Sequence, residues 1–295
     1  MNSRHFVPRR LCRLLIAVFP LLAFMLACSP PVKRPTGPAS EYDDAKNMFK
    51  RGRFERTLEF TDGLASATPA NAFTERACVL RAVVYTGFIQ AHKQLADAYE
   101  KGVERTKNPR FQGEYGRQRH DNLQYGARAA MGLGEAVHQL TEGGTISKEV
   151  TLEASYPSVE GPAQVAQLER VKMGAWIEPE DQEAAMVAAQ RMGVDDALGE
   201  AVGGGRAKAR EALAAGSAKI NGADFALFLA QQMLDGASLY DRKHMQDKQR
   251  LKFLCGLADE AARAALAGLK ETPNPAKEKE IKKLQDKIKT TLKIG

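Results

Sequence analysis

Chemistry needs nucleophiles, bases, metal ligands or phosphate cradles at workable spacing, and those residue types are thinly spread along this chain. The five histidines, His5, His92, His120, His138 and His244, are scattered, and none forms HExxH or a pair one helical turn apart, the spacing that lets imidazoles converge on a metal. No G-x-S-x-G elbow occurs, so the usual presentation of a serine nucleophile is missing. Four cysteines are present, Cys12, Cys28, Cys78 and Cys255. Cys78 and Cys255 both lie among apolar neighbours, where two buried thiols or a disulfide stapling two helical regions are the alternatives. Gly203-Gly204-Gly205 precedes Arg206 and Lys208, as a phosphate cradle at a helix start would require. The preceding strand and a GK[ST] triplet are missing, so the segment reads better as a turn between helices. The carboxylate pairs Glu180-Asp181 and Asp195-Asp196 fall in helix first turns, where acids complement the dipole. The residues therefore nominate no catalytic group, no metal site and no bound cofactor.

Helices must position whatever these side chains do. With 295 residues the chain is long enough for one large domain or two ordinary ones. Its 44% hydrophobic and 27% charged residues exclude a wholly disordered chain, and four cysteines exclude a disulfide-stapled miniprotein. Only 7% of residues are aromatic, and the Ala, Leu, Glu, Lys and Gln content favours helix over sheet. From Glu41 onward, apolar residues recur at helical spacing. Thr141-Glu142-Gly143-Gly144 interrupts the pattern, and residues 142–163 read as a connecting loop with one strand-like run, Glu149-Val150-Thr151-Leu152. Pro179-Glu180-Asp181 starts a helix that Gly193 is expected to stop. The glycine triplet separates the next helix, Arg206–Ala215. Asn221 can cap a helix carrying Ala223, Ala226, Leu227, Ala230 and Leu234 on one face. A further stripe runs Leu251, Leu254, Ala258, Ala261, Ala265, Leu269. Asn274-Pro275 opens a last helix with the narrow seam Ile281, Leu284, Ile288, Leu292 and Lys-rich outer faces, the form of a cap on a helical stack, with a detachable partner-binding or membrane-surface helix as the alternative.

The N-terminal 27 residues have the anatomy of an export signal. Arg4, Arg9, Arg10 and Arg13 stand without an acid among them, followed by an apolar run from Leu14 to Ala27 that Pro20 interrupts. That run is shorter than the roughly 20 residues a spanning helix needs, so a signal segment is expected, with an uncleaved membrane anchor as the alternative. Met25-Leu26-Ala27-Cys28 resembles the lipobox of bacterial lipoproteins, in which a small residue precedes an invariant cysteine. The resemblance implies that residues 1–27 are removed and that Cys28 carries a thioether-linked diacylglycerol and palmitate-type acyl chains. Met25 and Leu26 depart from the commonest lipobox residues. Ser29 follows the cysteine where Asp would favour retention in the inner membrane, so the resemblance implies an outer-membrane lipoprotein facing the periplasm. Residues 28–41, rich in Pro and small polar residues, read as a tether without a core.

The segment from Asp44 to Pro69 resembles a tetratricopeptide repeat. Gly52 stands at the turn between two helices, Phe54 two residues after it, Pro69 at the close and Ala45 at a small-residue position. Glu41, Asp44, Thr57 and Thr61 depart from the family pattern. Residues 72–108 offer a second helix pair with Gly87-Phe88 as its turn and Pro109 as its stop, and a further helical stretch runs from about Gln112 to Leu140. An irregular helical bundle is the alternative to a repeat here.

The expected fold is therefore all-α. Antiparallel helix pairs at 42–141 stack as a short tetratricopeptide-like solenoid, and residues 164–295 form a second helical region ending in a capping helix. The formal charge of +7 divides unevenly. Four arginines belong to residues 1–27 and residues 270–295 carry a net +4, which leaves residues 28–269 near neutral and removes the support for a nucleic-acid-binding body. Tetratricopeptide-like lipoproteins in general are adaptors, so the resemblances imply a lipid-anchored scaffold for a protein or peptide partner in envelope assembly. A cell-envelope enzyme acting on peptidoglycan, recognisable by a deep cleft of converging acids, is the alternative. So is an apolar-ligand carrier with a cavity around Phe225, Phe228 and Met233.

Overall fold

A computed structural model describes residues 37–141, 146–157, 163–241, 243–270 and 273–294. The first two helices, α1 (Pro38–Lys50) and α2 (Phe54–Ala65), meet at Gly52. That residue holds φ +68°, the left-handed region that glycine enters at no steric cost, so the expected turn is present. Tyr42, Ala45 and Phe49 bury one face of α1, and the Phe49 and Phe54 rings meet edge-on at 5.5 Å across the turn.

Residues 72–108 do not form the expected second pair. They form one continuous helix, α3 (Thr74–Arg105), of 32 residues. It returns as α4 (Pro109–Leu140), whose first turn Asn108 caps by accepting from the Arg110 N–H at 3.0 Å. Tyr99 with Tyr115, His92 with Asn122 and Cys78 with Gln139 face one another along the pair, which makes it a long antiparallel hairpin.

Gly87 bends nothing; it permits a helix crossing. A Cβ there would lie 2.5 Å from Val194 Cγ2, and one on Gly193 would lie 2.1 Å from the carbonyl oxygen of Gly87. Both glycines are interior to helices, Gly193 within α6 (Pro179–Val202). The expected stop at Gly193 is therefore corrected to Gly203, which takes φ +71° as the left-handed residue ending α6. A helix-interior glycine costs about 1 kcal/mol relative to alanine, a cost offset here by contact between two backbones.

Between α4 and α6 lie β1 (Glu149–Leu152) and α5 (Ala163–Lys172). The strand-like run is a strand. Its partner, β2 (Ala218–Asn221), pairs with it antiparallel, Glu149 opposite Asn221 and Leu152 opposite Ala218. After α6 come α7 (Gly205–Ala212), β2, α8 (Gly222–Ala237), a single 3-10 turn (Ser238–Tyr240), α9 (Lys248–Leu269) and α10 (Pro275–Ile294). Asn221 caps α8 through the N–H groups of Ala223 and Asp224, and Asn274 caps α10 through that of Lys277. The stripe from Leu251 to Leu269 is buried along α9, and Ile281, Leu284 and Ile288 bury the seam of α10.

Among the described residues the fold is all-α with one small two-stranded ribbon. Residues 41–295 form one compact unit, and its main core draws on Tyr42, Leu80 and Leu133 as well as Phe225, Leu254 and Ile288. Of the first 40 residues only 37–40 are described, so the expected signal segment and Cys28 lie outside the described residues.

Candidate functional site

The two internal cysteines are free and buried, which corrects the alternative of a disulfide between Cys78 and Cys255. The Cys78 thiol lies 3.1 Å from Gln139 Oε1 in the α3–α4 hairpin, while Cys255 sits in the core of α9. Burial pushes both thiols up to about 11, so neither is a ready nucleophile at neutral pH.

The glycine triplet is a helix-ending turn, and both cations beside it are already bound. Arg206 forms a two-pronged pair with Asp196 at 2.6 and 2.8 Å, and Lys208 donates to the Gly203 carbonyl at 2.9 Å. Asp195, the neighbour of Asp196, lies inside α6 rather than in the helix first turn expected for the pair, and its burial raises its carboxyl above the ordinary range against the pull of Tyr156, Arg206 and Arg210. The histidines stay apart: His120 meets Gln124, His138 is exposed and His244 meets Asp241. Among the described residues no group of three or more His, Cys, Asp or Glu side chains converges as metal ligands would. Phe225, Phe228 and Met233 belong to the core, with the two rings 5.6 Å apart.

His5 lies outside the described residues, and the fourth described histidine, His92, sits beside a surface groove. His92 is buried on α3, and its Nδ1 lies 2.9 Å from Asn122 Oδ1 on α4. Burial lowers its pKa, partly opposed by the Asn122 bond, so the ring is neutral at pH 7. Tyr125 lies 5.4 Å above that ring, half exposed at 49%, with the Arg128 guanidinium 5.7 Å from its own ring. Beside them a groove of about 260 Å³ runs between α3, α4 and the start of α6.

Helical spacing builds each wall of the groove. Leu95 and Tyr99 come one turn apart from α3, Gln118 and Asn122 one turn apart from α4, and Gln182 and Met186 one turn apart from α6. Gln118 donates to Gln182 at 2.9 Å, tying α4 to α6 across the floor, and Gln182 donates to the Ile177 carbonyl at 3.2 Å. Arg117 binds Glu114 and, at 2.9 Å, Asp121 along the rim. The guanidinium holds the Glu114 carboxyl below its usual range. Burial pushes the Tyr99 hydroxyl up to about 12, so it remains protonated. Leu95 and Tyr99 are packed into the core at the groove base, so the apolar surface left to solvent is that of Met186 and Tyr125, inside a polar, charged rim.

A second depression, of about 360 Å³, lies at Asn221, Asp224 and Lys277. Its polar groups are already used, Asn221 in its helix cap and Asp224 in an ion pair with Lys277. Leu95 and Tyr99 fall within the helical stretch 72–108 expected from the sequence, which singles out neither Tyr125 nor the glutamines. The period Gln118, Asn122, Tyr125 was the available signal; the α6 wall, some 60 residues later, needed the α3–α6 crossing to be known.

Comparison with family models, with curated proteins and with solved structures returns no match. Among the described residues no helix is long and apolar enough to cross a membrane.

Proposed function

We propose that this protein is a lipid-anchored adaptor that docks a protein or peptide partner in the groove between α3, α4 and α6. The groove carries the reading: Met186 is partly exposed beside the packed Leu95 and Tyr99, and Tyr125 stands half exposed at its edge. Tyrosine is an enriched anchor in binding hot spots because it brings large area at low entropic cost. The floor is already braced by the Gln118–Gln182 bond, so little ordering is required on binding. The lipobox-like Cys28 and the Pro-rich segment after it support placing this body at the outer membrane, facing the periplasm.

The test is affinity capture of the protein from crosslinked membranes, followed by mass spectrometry, with the wild type and with Tyr125→Ala/Met186→Ala. A reproducible partner captured by the wild type and lost with the variant is expected. Capture of nothing, together with altered muropeptides in a deletion strain, would sink the adaptor reading and favour an enzyme of the cell wall.

A further inference from the structure

Among the described residues, α10 carries a row of exposed lysines. Its seam, Ile281, Leu284 and Ile288, is buried against α8 and α9. Gln231 with Glu280, Gln285 with Asp259 and Lys277 with Asp224 tie down its flanks. The apolar side of this helix is thus already occupied, and what remains is its outer arc. On that arc Lys279, Lys283, Lys287 and Lys293 are exposed, and among the described residues no acid is placed against them. Three of the four repeat at i, i+4 and i+8 along a helix of 20 residues, about 30 Å long. Like charges at that spacing disfavour a helix by a few tenths of a kcal/mol per pair.

We infer that this lysine row rests on an anionic phospholipid surface. The inference rests on the reading of Cys28 as a lipid anchor. Nine residues, Ser29–Gly37, separate Cys28 from the start of α1, a reach of at most about 30 Å. A tether of that length keeps the local concentration of lipid headgroups high, so that even weak attraction between them and a polybasic helix is expressed. Residues 28–269 are near neutral, so the net positive charge beyond residue 27 is carried by residues 270–295, most of which form α10. The chemistry of the row favours lipid over protein. Docking patches are enriched in Tyr, Trp and Arg and depleted in Lys, and the outer arc of α10 carries none of those three anchors. Lysine is a hydrated point charge that needs no fixed partner geometry, which suits a fluid plane of phosphates.

The experiment compares two full-length chains, both carrying Cys28→Ala so that no acyl chain contributes. One keeps the lysines and the other is K279Q/K283Q/K287Q/K293Q. Each is sedimented with vesicles of phosphatidylcholine alone or mixed with phosphatidylglycerol. The identical N-termini add the same free energy to both, so the ratio between the chains reads the lysines. The substitutions are expected to weaken partition onto the anionic vesicles roughly fivefold per lysine, on the order of a hundredfold or more together. That gap should close at high salt, with neutral vesicles showing no difference and the melting temperatures matching. Equal partition of the two chains onto anionic vesicles would overturn the inference, as would an equal loss on neutral vesicles. So would a loss of partner capture with vesicle partition intact, which would make the row a protein contact. Labelling of the Cys28 chain with a fatty-acid analogue reads the anchor separately, so failure of one reading does not mimic failure of the other.

Discussion

Replacing Gly193 by alanine adds one methyl group at the place where α3 and α6 touch backbone to backbone. In an exposed helix the change would stabilise, because alanine exceeds glycine in helix propensity by about 1 kcal/mol. Here the new Cβ would stand 2.1 Å from the Gly87 carbonyl oxygen and 3.2 Å from the Ala91 nitrogen. No side-chain rotation relieves a contact between backbones, so the helices must separate by about 1 Å. A gap of that size forfeits a quarter to a half of each van der Waals contact along the crossing. Overpacking of this kind costs about 3 kcal/mol at the upper end of its usual range. Subtracting the propensity gain leaves a net loss of about 2 kcal/mol, or roughly 4–8 °C in melting temperature for a body of this size. Gly256 on α9 is the control, since a Cβ there meets nothing within 4 Å; Gly256→Ala is expected to stabilise by about 0.4–1 kcal/mol. Thermal unfolding followed by circular dichroism reads both. A Gly193→Ala protein as stable as the wild type, or more so, would refute the crossing.

Three further outcomes are expected. His92 is depressed by burial, so as pH falls through the ordinary histidine value of about 6.5 the unfolded chain takes up the proton first and stability declines. His92→Gln should flatten that limb in urea midpoints measured between pH 8 and pH 5, and an unchanged slope would clear His92 of the effect. Ile288→Ala, at a side chain only 2% exposed, should cost about 2 kcal/mol or more and speed proteolytic release of α10; equal protease resistance would mean the seam contributes little. Cys28→Ala should abolish labelling by a fatty-acid analogue, and retained labelling would refute the anchor.

Local signals made much of the helical frame legible. Gly52 and Phe54 marked the first turn, and Asn221 and Asn274 marked two helix starts as caps. The stripes on α9 and α10 named their buried faces. Gly87 and Gly193 misled, because a glycine that ends a helix and one that admits a neighbouring backbone look alike in one dimension. Only the pairing of α3 with α6 separates the two roles. β2 escaped notice because four residues of alternating burial carry too little period to read. The two cysteines illustrate the same limit: apolar neighbours foretold burial and could not foretell whether the thiols would meet. The groove was hardest to see, since its apolar residues read as ordinary core and its third wall arrives from a distant segment.

The adaptor reading is tested most directly by a photocrosslinking residue placed at position 125, on the groove edge, in the full-length protein within intact cells. Phe253, 47% exposed on α9 and outside the groove lining, provides the control position. The expected result is a discrete protein adduct from position 125 that is missing from position 253 and is lost when Met186→Ala alters the groove floor. No adduct from position 125, or the same adducts from both positions, would contradict a docking function for the groove.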